Sequence, residues 1–365
     1  MSNYFEYKDK IAFHPGYYIQ ELVDESGLTQ EDFAKRLGTT PKNLCVLIKG
    51  EQSLSNDIAI KLSRMYGTSI VYWLNIQLAY DELLAEFQSE KELLQERDIF
   101  RLMDYSYFRE YFGLPDFPRQ IDQQIKAVRE FLHISSLTVL KNRDLAASFR
   151  CTMKNLSVSN VVNSNAMVQI AVNEVRKAKI PKFNRVGFTR AVDFALTLTD
   201  DLKKAYPVIK NSFEEAGVVL VLLPNLRNSG VNGATKRVDG KVLLLVNDRR
   251  HYEDTFWFTL FHEIGHIMNE SYGVTFEKDE NEAEDEADRY ARNKLIPSDQ
   301  YDQFVAETIV FDERAVTQFA QKIGRDPGIV YGRLQKDTIK PFQHTAAEEH
   351  LRHKYKASDL ITLRE

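Results

Sequence analysis

The stretch FTLFHEIGHIMNE (258–270) holds three residues whose types and spacing suit hydrolysis: His262, Glu263 and His266. On a helix, positions four apart sit one above the other on a single face, so the two imidazoles aim at one point with a carboxylate beside them. Two imidazoles and one further ligand make a zinc site, and a catalytic zinc keeps its fourth position for water. One Zn2+ per chain would lower the pKa of that water. Glu263 would then accept its proton and pass it to a leaving amine, as peptide hydrolysis requires.

The third ligand must come from elsewhere. Downstream lies EKDENEAEDEADRYARNKLIP (277–297), a carboxylate-rich helical segment. Glu284 and Asp288 are again four apart, so Glu284 can bind metal while Asp288 orients a ligand histidine through its second nitrogen. Glu286 points about 200° away from Glu284 around the helix and is the second choice. Phe258, Leu260, Phe261 and Ile264 make the motif helix apolar, which buries it and keeps the site dry. Which group stabilises an oxyanion is open among His251, Tyr331 and Arg333.

These residues need a scaffold. GVVLVLLPN (217–225) and KVLLLVND (241–248) read as buried strands flanking the turn-rich NSGVNGATKRVDG (228–240). Residues 121–215 are helical by period, and helices dominate again from His251. The predicted class is therefore mainly α with a small β-sheet (α+β).

FTLFHEIGHIMN followed by EDEADRYARNKLIP resembles the ImmA/IrrE family of metallo-endopeptidases. GATKRVDGKVLLLVNDR before the motif and FAQKIGRDPGIVYGRLQ after it extend the likeness over roughly residues 125–340. The resemblance implies a zincin-like fold, with His262, His266 and Glu284 as ligands and Glu263 as general base. It also implies cleavage of repressors or other regulatory proteins.

A second chemistry lies upstream. QEDFAKRLGTTPKNLCVLIKG (30–50) has the pattern of two helices crossing closely: small Ala34, turn residue Gly38, and apolar Phe33, Leu37, Leu44 and Leu47 locking the pair. Gln30, at the start of the first helix, and Thr40, Lys42 and Asn43, at the start of the second, fall outside that core as DNA-facing candidates, and the second-helix positions can reach base edges. Lys35, Arg36 and Lys49 can contact phosphate. Residues 14–80 read as five short helices, with Thr29, Ser55 and Ser69 as starts and Gly27, Gly38, Gly50 and Gly67 as stops. The opening His14–Pro15–Gly16 and closing Trp73–Leu74–Asn75 make residues 12–80 similar to the HigA-type antitoxins, lambda-repressor-like helix-turn-helix proteins. That likeness implies a homodimer, operator or promoter DNA as partner, and a cognate toxin as a further one.

An internal echo joins the two halves. FAKRLGTTPKNL (33–44) and FAQKIGRDPGIV (319–330) share Phe, Ala, Gly and Pro at constant offset. Arg333 replaces the apolar residue equivalent to Leu47, so the second copy reads as a structural hairpin packed near the metal site.

The expected division is a helix-turn-helix domain at 12–80, a helical linker at 81–118 ending in FGLPDFPRQ, a metallopeptidase domain at 119–340 and a tail at 341–365. Of the 365 residues 43% are hydrophobic and 28% charged, an ordinary globular balance. A net charge of −5 excludes a chain coated in positive charge for sequence-blind nucleic-acid binding, so any DNA contact is a local patch. The longest apolar run, Val218–Leu223, is too short to span a bilayer. Two cysteines, Cys45 and Cys151, and a start without an apolar leader point to a reducing, cytoplasmic setting. The expected function is a DNA-binding regulator carrying a zinc endopeptidase that cleaves a regulatory protein or its own linker (80–118). The alternative is a non-proteolytic HigA-like antitoxin or autorepressor whose metal domain senses a ligand or binds a toxin.

Overall fold

The computed structural model describes residues 4–142, 157–276, 282–339 and 346–361; Cys151 and part of the expected tail lie outside them. The chain forms two compact units, Met1–Gln95 and Glu96–Glu365.

The first unit opens with an antiparallel hairpin, β1 (Tyr4–Tyr7) and β2 (Lys10–Phe13), which the sequence reading lacked. Four helices follow: α1 (Pro15–Ser26), α2 (Gln30–Leu37), α3 (Pro41–Ile48) and α4 (Asn56–Tyr66). Each of the last three starts where a hydroxyl (Thr29, Thr40 or Ser55) accepts an amide three residues on, satisfying an orphan donor of the first turn. The next helix, α5 (Ile70–Phe100), does not stop near residue 80. It runs unbroken through 31 residues, and the division between the units falls inside it, ahead of the expected break at FGLPDFPRQ. Ile19, Phe33, Ala34, Leu37, Leu44, Leu47, Ile58, Leu62 and Trp73 form the core of this unit.

His14–Pro15–Gly16 has a packing explanation. The His14 imidazole caps α1 by accepting the Gly16 amide at 3.0 Å, and Pro15 occupies the first turn, where its missing N–H costs nothing. A Cβ on Gly16 would strike the carbonyls of Leu47 and Ile48, so glycine lets α1 lie directly on the end of α3.

The second unit contains α6 (Tyr105–Phe112), α7 (Ile121–Leu132), α8 (Val158–Lys177), α9 (Arg185–Ala195) and α10 (Leu202–Glu215). The sheet strands are β3 (Val218–Leu223), β4 (Val231–Val238), β5 (Lys241–Asn247) and β6 (Gly273–Phe276), in the order β3-β5-β4-β6. β3 is parallel to β5, and the other two pairings are antiparallel. The turn-rich stretch 228–240 is thus largely a strand. Its Gly and Asn read as breakers, but only Asp239 and Gly240, both at positive φ, make the turn into β5.

The motif helix is α11 (Glu253–Met268), followed by α12 (Glu282–Leu295), α13 (Ser298–Glu307), α14 (Glu313–Ile323) and α15 (Pro327–Lys336). Two short helices, α16 (Ala346–Leu351) and α17 (Ala357–Leu360), close the described chain. Alternate strand residues Val218, Leu220, Leu222, Val242, Leu244 and Val246 share one core with Trp257, Leu260, Phe261 and Ile264 of α11. The other face of β3, β4 and β5 is covered by α8. Residues 346–361, set apart as tail by the sequence reading, are packed in: Leu351, Tyr355 and Ala357 are buried in that same core.

Candidate metal centre and nucleic-acid interface

On α11, His262 and His266 meet edge to face one turn apart, with Nε2 atoms 3.1 Å apart. Glu284, 22 residues beyond His262 on α12, lies 3.0 Å from the His262 Nε2 and 3.3 Å from the His266 Nε2. All three donor atoms fall within 4.8 Å of one another, a group able to hold a metal ion. The outer nitrogens are engaged elsewhere: His262 Nδ1 meets the Asp288 carboxylate at 2.8 Å, and His266 Nδ1 meets the Ser271 hydroxyl at 2.9 Å. With each Nδ1 held, each Nε2 is left to face the cluster. Glu286 faces away and pairs with Asn269 at 3.3 Å.

Two glycines make room for this convergence. A Cβ on Gly265, inside the HEIGH motif, would come within 3.0 Å of Ala287 Cα and 3.2 Å of Tyr290 Cβ. Its absence lets α12 cross α11 closely enough for Glu284 to reach the histidines. On β4 a Cβ at Gly233 would come 2.5 Å from the Glu263 Oε1, so the fully buried Glu263 carboxylate rests directly on the strand backbone. The strand bulges next to Gly233, where the register with β6 shifts between Val231 and Gly233.

The electrostatics favour a cation. Burial alone would depress His262, but its contacts with Asp288 and Glu284 outweigh that and raise it to about 9. Burial likewise opposes ionisation of Glu284, yet the two imidazoles hold its carboxyl down to about 2. Asp288 is lowered too, with burial again overcome by His262. Carboxylates thus surround two imidazoles in a dry place, and a positive charge between them is stabilised. Donor types, convergence and charge all fit a divalent metal.

The suggested oxyanion groups have other engagements. Arg333 is bound by the Asp337 carboxylate and stacks on Tyr301 at 4.9 Å, so it is not presented to the metal cluster. His251 is largely exposed, with its ring 3.9 Å from Asp248. Tyr331 is buried in the core.

Sequence reading missed Ser271, Gly233 and the anchor of the motif helix. That anchor is Asp254, in the first turn of α11, held by Arg352 through paired contacts of 3.0 and 2.9 Å. Both side chains are buried, and Gln335 takes a further Arg352 proton at 3.0 Å. Gly233 and Asp254 find their partners in distant parts of the chain, and Ser271 lies five residues from His266 but carries no motif.

In the first unit, α2 and α3 join through Gly38 in the left-handed region (φ 70°), and the pair packs by Ala34, Leu37, Leu44 and Leu47. Lys35, Arg36, Thr40, Lys42 and Lys49 are exposed, while Gln30 and Asn43 are half-buried. Lys35 pairs with Glu31 on its own helix at 2.9 Å. Asn43 is committed inward: its amide donates to the Thr39 hydroxyl and its carbonyl accepts from Gln52, both at 2.8 Å. The Thr40 hydroxyl caps α3.

Comparison with known proteins separates the same two regions. A helix-turn-helix family model matches residues 19–73. An HTH-type transcriptional regulator of Escherichia coli K12, YddM, is 38% identical over 79 residues, 21% of this chain and 84% of that protein. The chain belongs to the helix-turn-helix family. Virulence-associated protein I of Dichelobacter nodosus is 33% identical to this helix-turn-helix protein over 76 residues, 20% of this chain and 70% of the relative. A solved structure described as a candidate antidote protein of a plasmid maintenance system, from Nostoc punctiforme, is 31% identical. It covers 23% of this chain and 92% of its own, with a TM-score of 0.23. Residues 213–334 match the IrrE N-terminal-like domain, a peptidase family, so the helix-turn-helix protein carries a metallopeptidase-like second unit. Among the described residues no helix is long and apolar enough to cross a membrane.

Proposed function

We propose that this chain is a DNA-binding regulator whose second unit is a zinc-dependent endopeptidase acting on a regulatory protein. The observation that carries the reading is the approach of Glu284 to both imidazoles while Glu263 lies fully buried beside them. His262, His266 and Glu284 would hold the ion, with Asp288 and Ser271 fixing the two rings. When bound, zinc supplies a Lewis-acidic centre that polarises the scissile carbonyl. Glu263 accepts a proton from the attacking water and delivers it to the leaving amine. The apolar surface of α11 excludes bulk water, which strengthens every charge interaction inside.

Fusion to a DNA reader has a physical rationale. A peptidase carried by a chain that binds operators has a raised effective concentration near regulators on the same DNA. Glu263→Gln keeps the ligand atoms and removes the base. The expected result is full metal content, loss of a specific new protein N-terminus in cells, and altered output of the target promoter. Unchanged promoter output together with an unchanged set of N-termini would exclude the peptidase, leaving a non-proteolytic repressor.

A further inference from the structure

The helix α3 buries Leu44, Leu47 and Ile48 and turns its opposite side outward. At 100° per residue the centre of that outward side is the ridge Lys42, Val46 and Lys49, four and then three residues apart. Lys42 and Lys49 are exposed, and Val46 is half-buried between them. Asn43, to one side of the ridge, is half-buried and held inward by Thr39 and Gln52. A branched apolar side chain between two lysines, on the one face of this helix that packs against nothing in its own core, suits a partner that is anionic at its edges and apolar at its centre. The major groove of duplex DNA is such a surface, with phosphates on both rims and thymine C5-methyl groups projecting from its floor.

We propose that Val46 reads a thymine methyl group in the operator, with Lys42 and Lys49 on either side of it. Asn43 acts one step back, as a positioning residue that fixes the start of α3 through Thr39 and Gln52. The reading rests on DNA binding by the first unit, and it names which side chains choose the sequence.

The test uses the full chain. Operators are selected from random duplexes, and each thymine of the winner is then replaced by deoxyuridine, which removes only the C5-methyl group. In the unmodified chain one thymine per half-site should weaken binding about fourfold on replacement, the worth of one buried methyl group. Val46→Ser should bind the original operator about fourfold more weakly and be indifferent to uridine at that position, while Val46→Thr, which keeps one methyl, should retain the penalty. A flat uridine scan for the unmodified chain, or an undiminished penalty in Val46→Ser, would overturn the assignment while leaving DNA binding intact. Selection of no sequence at all would overturn DNA binding itself, and this assignment with it.

Discussion

The two copies of the FA–G–P hairpin share a backbone plan and differ in what covers their second helix. In both, a glycine in the left-handed region ends the first helix: Gly38 at φ 70° and Gly324 at φ 65°. In both, a capping oxygen precedes a first-turn proline, from Thr40 before Pro41 and from Asp326 before Pro327. Phe33 and Ala34 are buried in one copy, Phe319 and Ala320 in the other. The ridge Lys42–Val46–Lys49 corresponds to Gly328–Gly332–Gln335 at the constant offset. There the side chains shrink because the face is occupied. A Cβ on Gly332 would strike the Asp254 carboxylate, and one on Gly328 would come 2.7 Å from the Leu351 carbonyl. The hairpin signature specifies a local shape, and the outward residues decide whether that shape reads a groove or grips a neighbouring helix.

The comparison can be broken most forcefully at the grip. Arg352→Ala removes the partner of a buried Asp254, which should destabilise the second unit by about 3–5 kcal/mol in urea unfolding, with the first unit's transition unmoved. A shared loss across both transitions, or none, would show that the anchor is not what holds α11. Next in size is Gly332→Val, which puts the first copy's ridge residue into the second. Overpacking against Asp254 should cost about 1–3 kcal/mol, whereas the reciprocal Val46→Gly should cost only about 1 kcal/mol of helix propensity. Equal costs would mean that both faces are equally covered.

The caps sharpen the same contrast. Burial pushes the Asp326 carboxyl up to about 6, partly opposed by the Gly328 amide. A carboxyl raised on folding contributes stability below its unfolded value near 3.8 and loses it as pH rises through 6. The second unit should therefore lose stability between pH 4 and 7, and Asp326→Asn should flatten that decline in thermal unfolding; an unchanged slope would reassign it. Thr40 is exposed, so Thr40→Ala should cost about 1 kcal/mol at every pH. Smallest in stability is Lys42→Ala, expected within about 0.5 kcal/mol. It should still lower the salt slope of DNA binding by about one.

Much of this was legible because the signals are local. Thr29, Thr40 and Gly38 act on residues within a turn of themselves, and helical period accounts for the pairs His262–His266 and Glu284–Asp288, while the choice of Glu284 as third ligand rests on the family resemblance as well. The hidden parts depend on remote neighbours, except Ser271, which is five residues from His266. Gly233 reads as a strand breaker until Glu263 is seen against it, Ser271 has no motif, and Arg352 reaches Asp254 across 98 positions. The helical linker was expected, but its continuity with the preceding helix as α5 was not, because the chain's polarity changes near residue 80 while the helical backbone continues.

The most direct test is metal content by elemental analysis after zinc reconstitution and desalting, on the unmodified chain, Glu263→Gln and His266→Ala. The account predicts one zinc per chain in the first two and little in the third. A zinc-free unmodified chain, or a fully loaded His266→Ala, would contradict it.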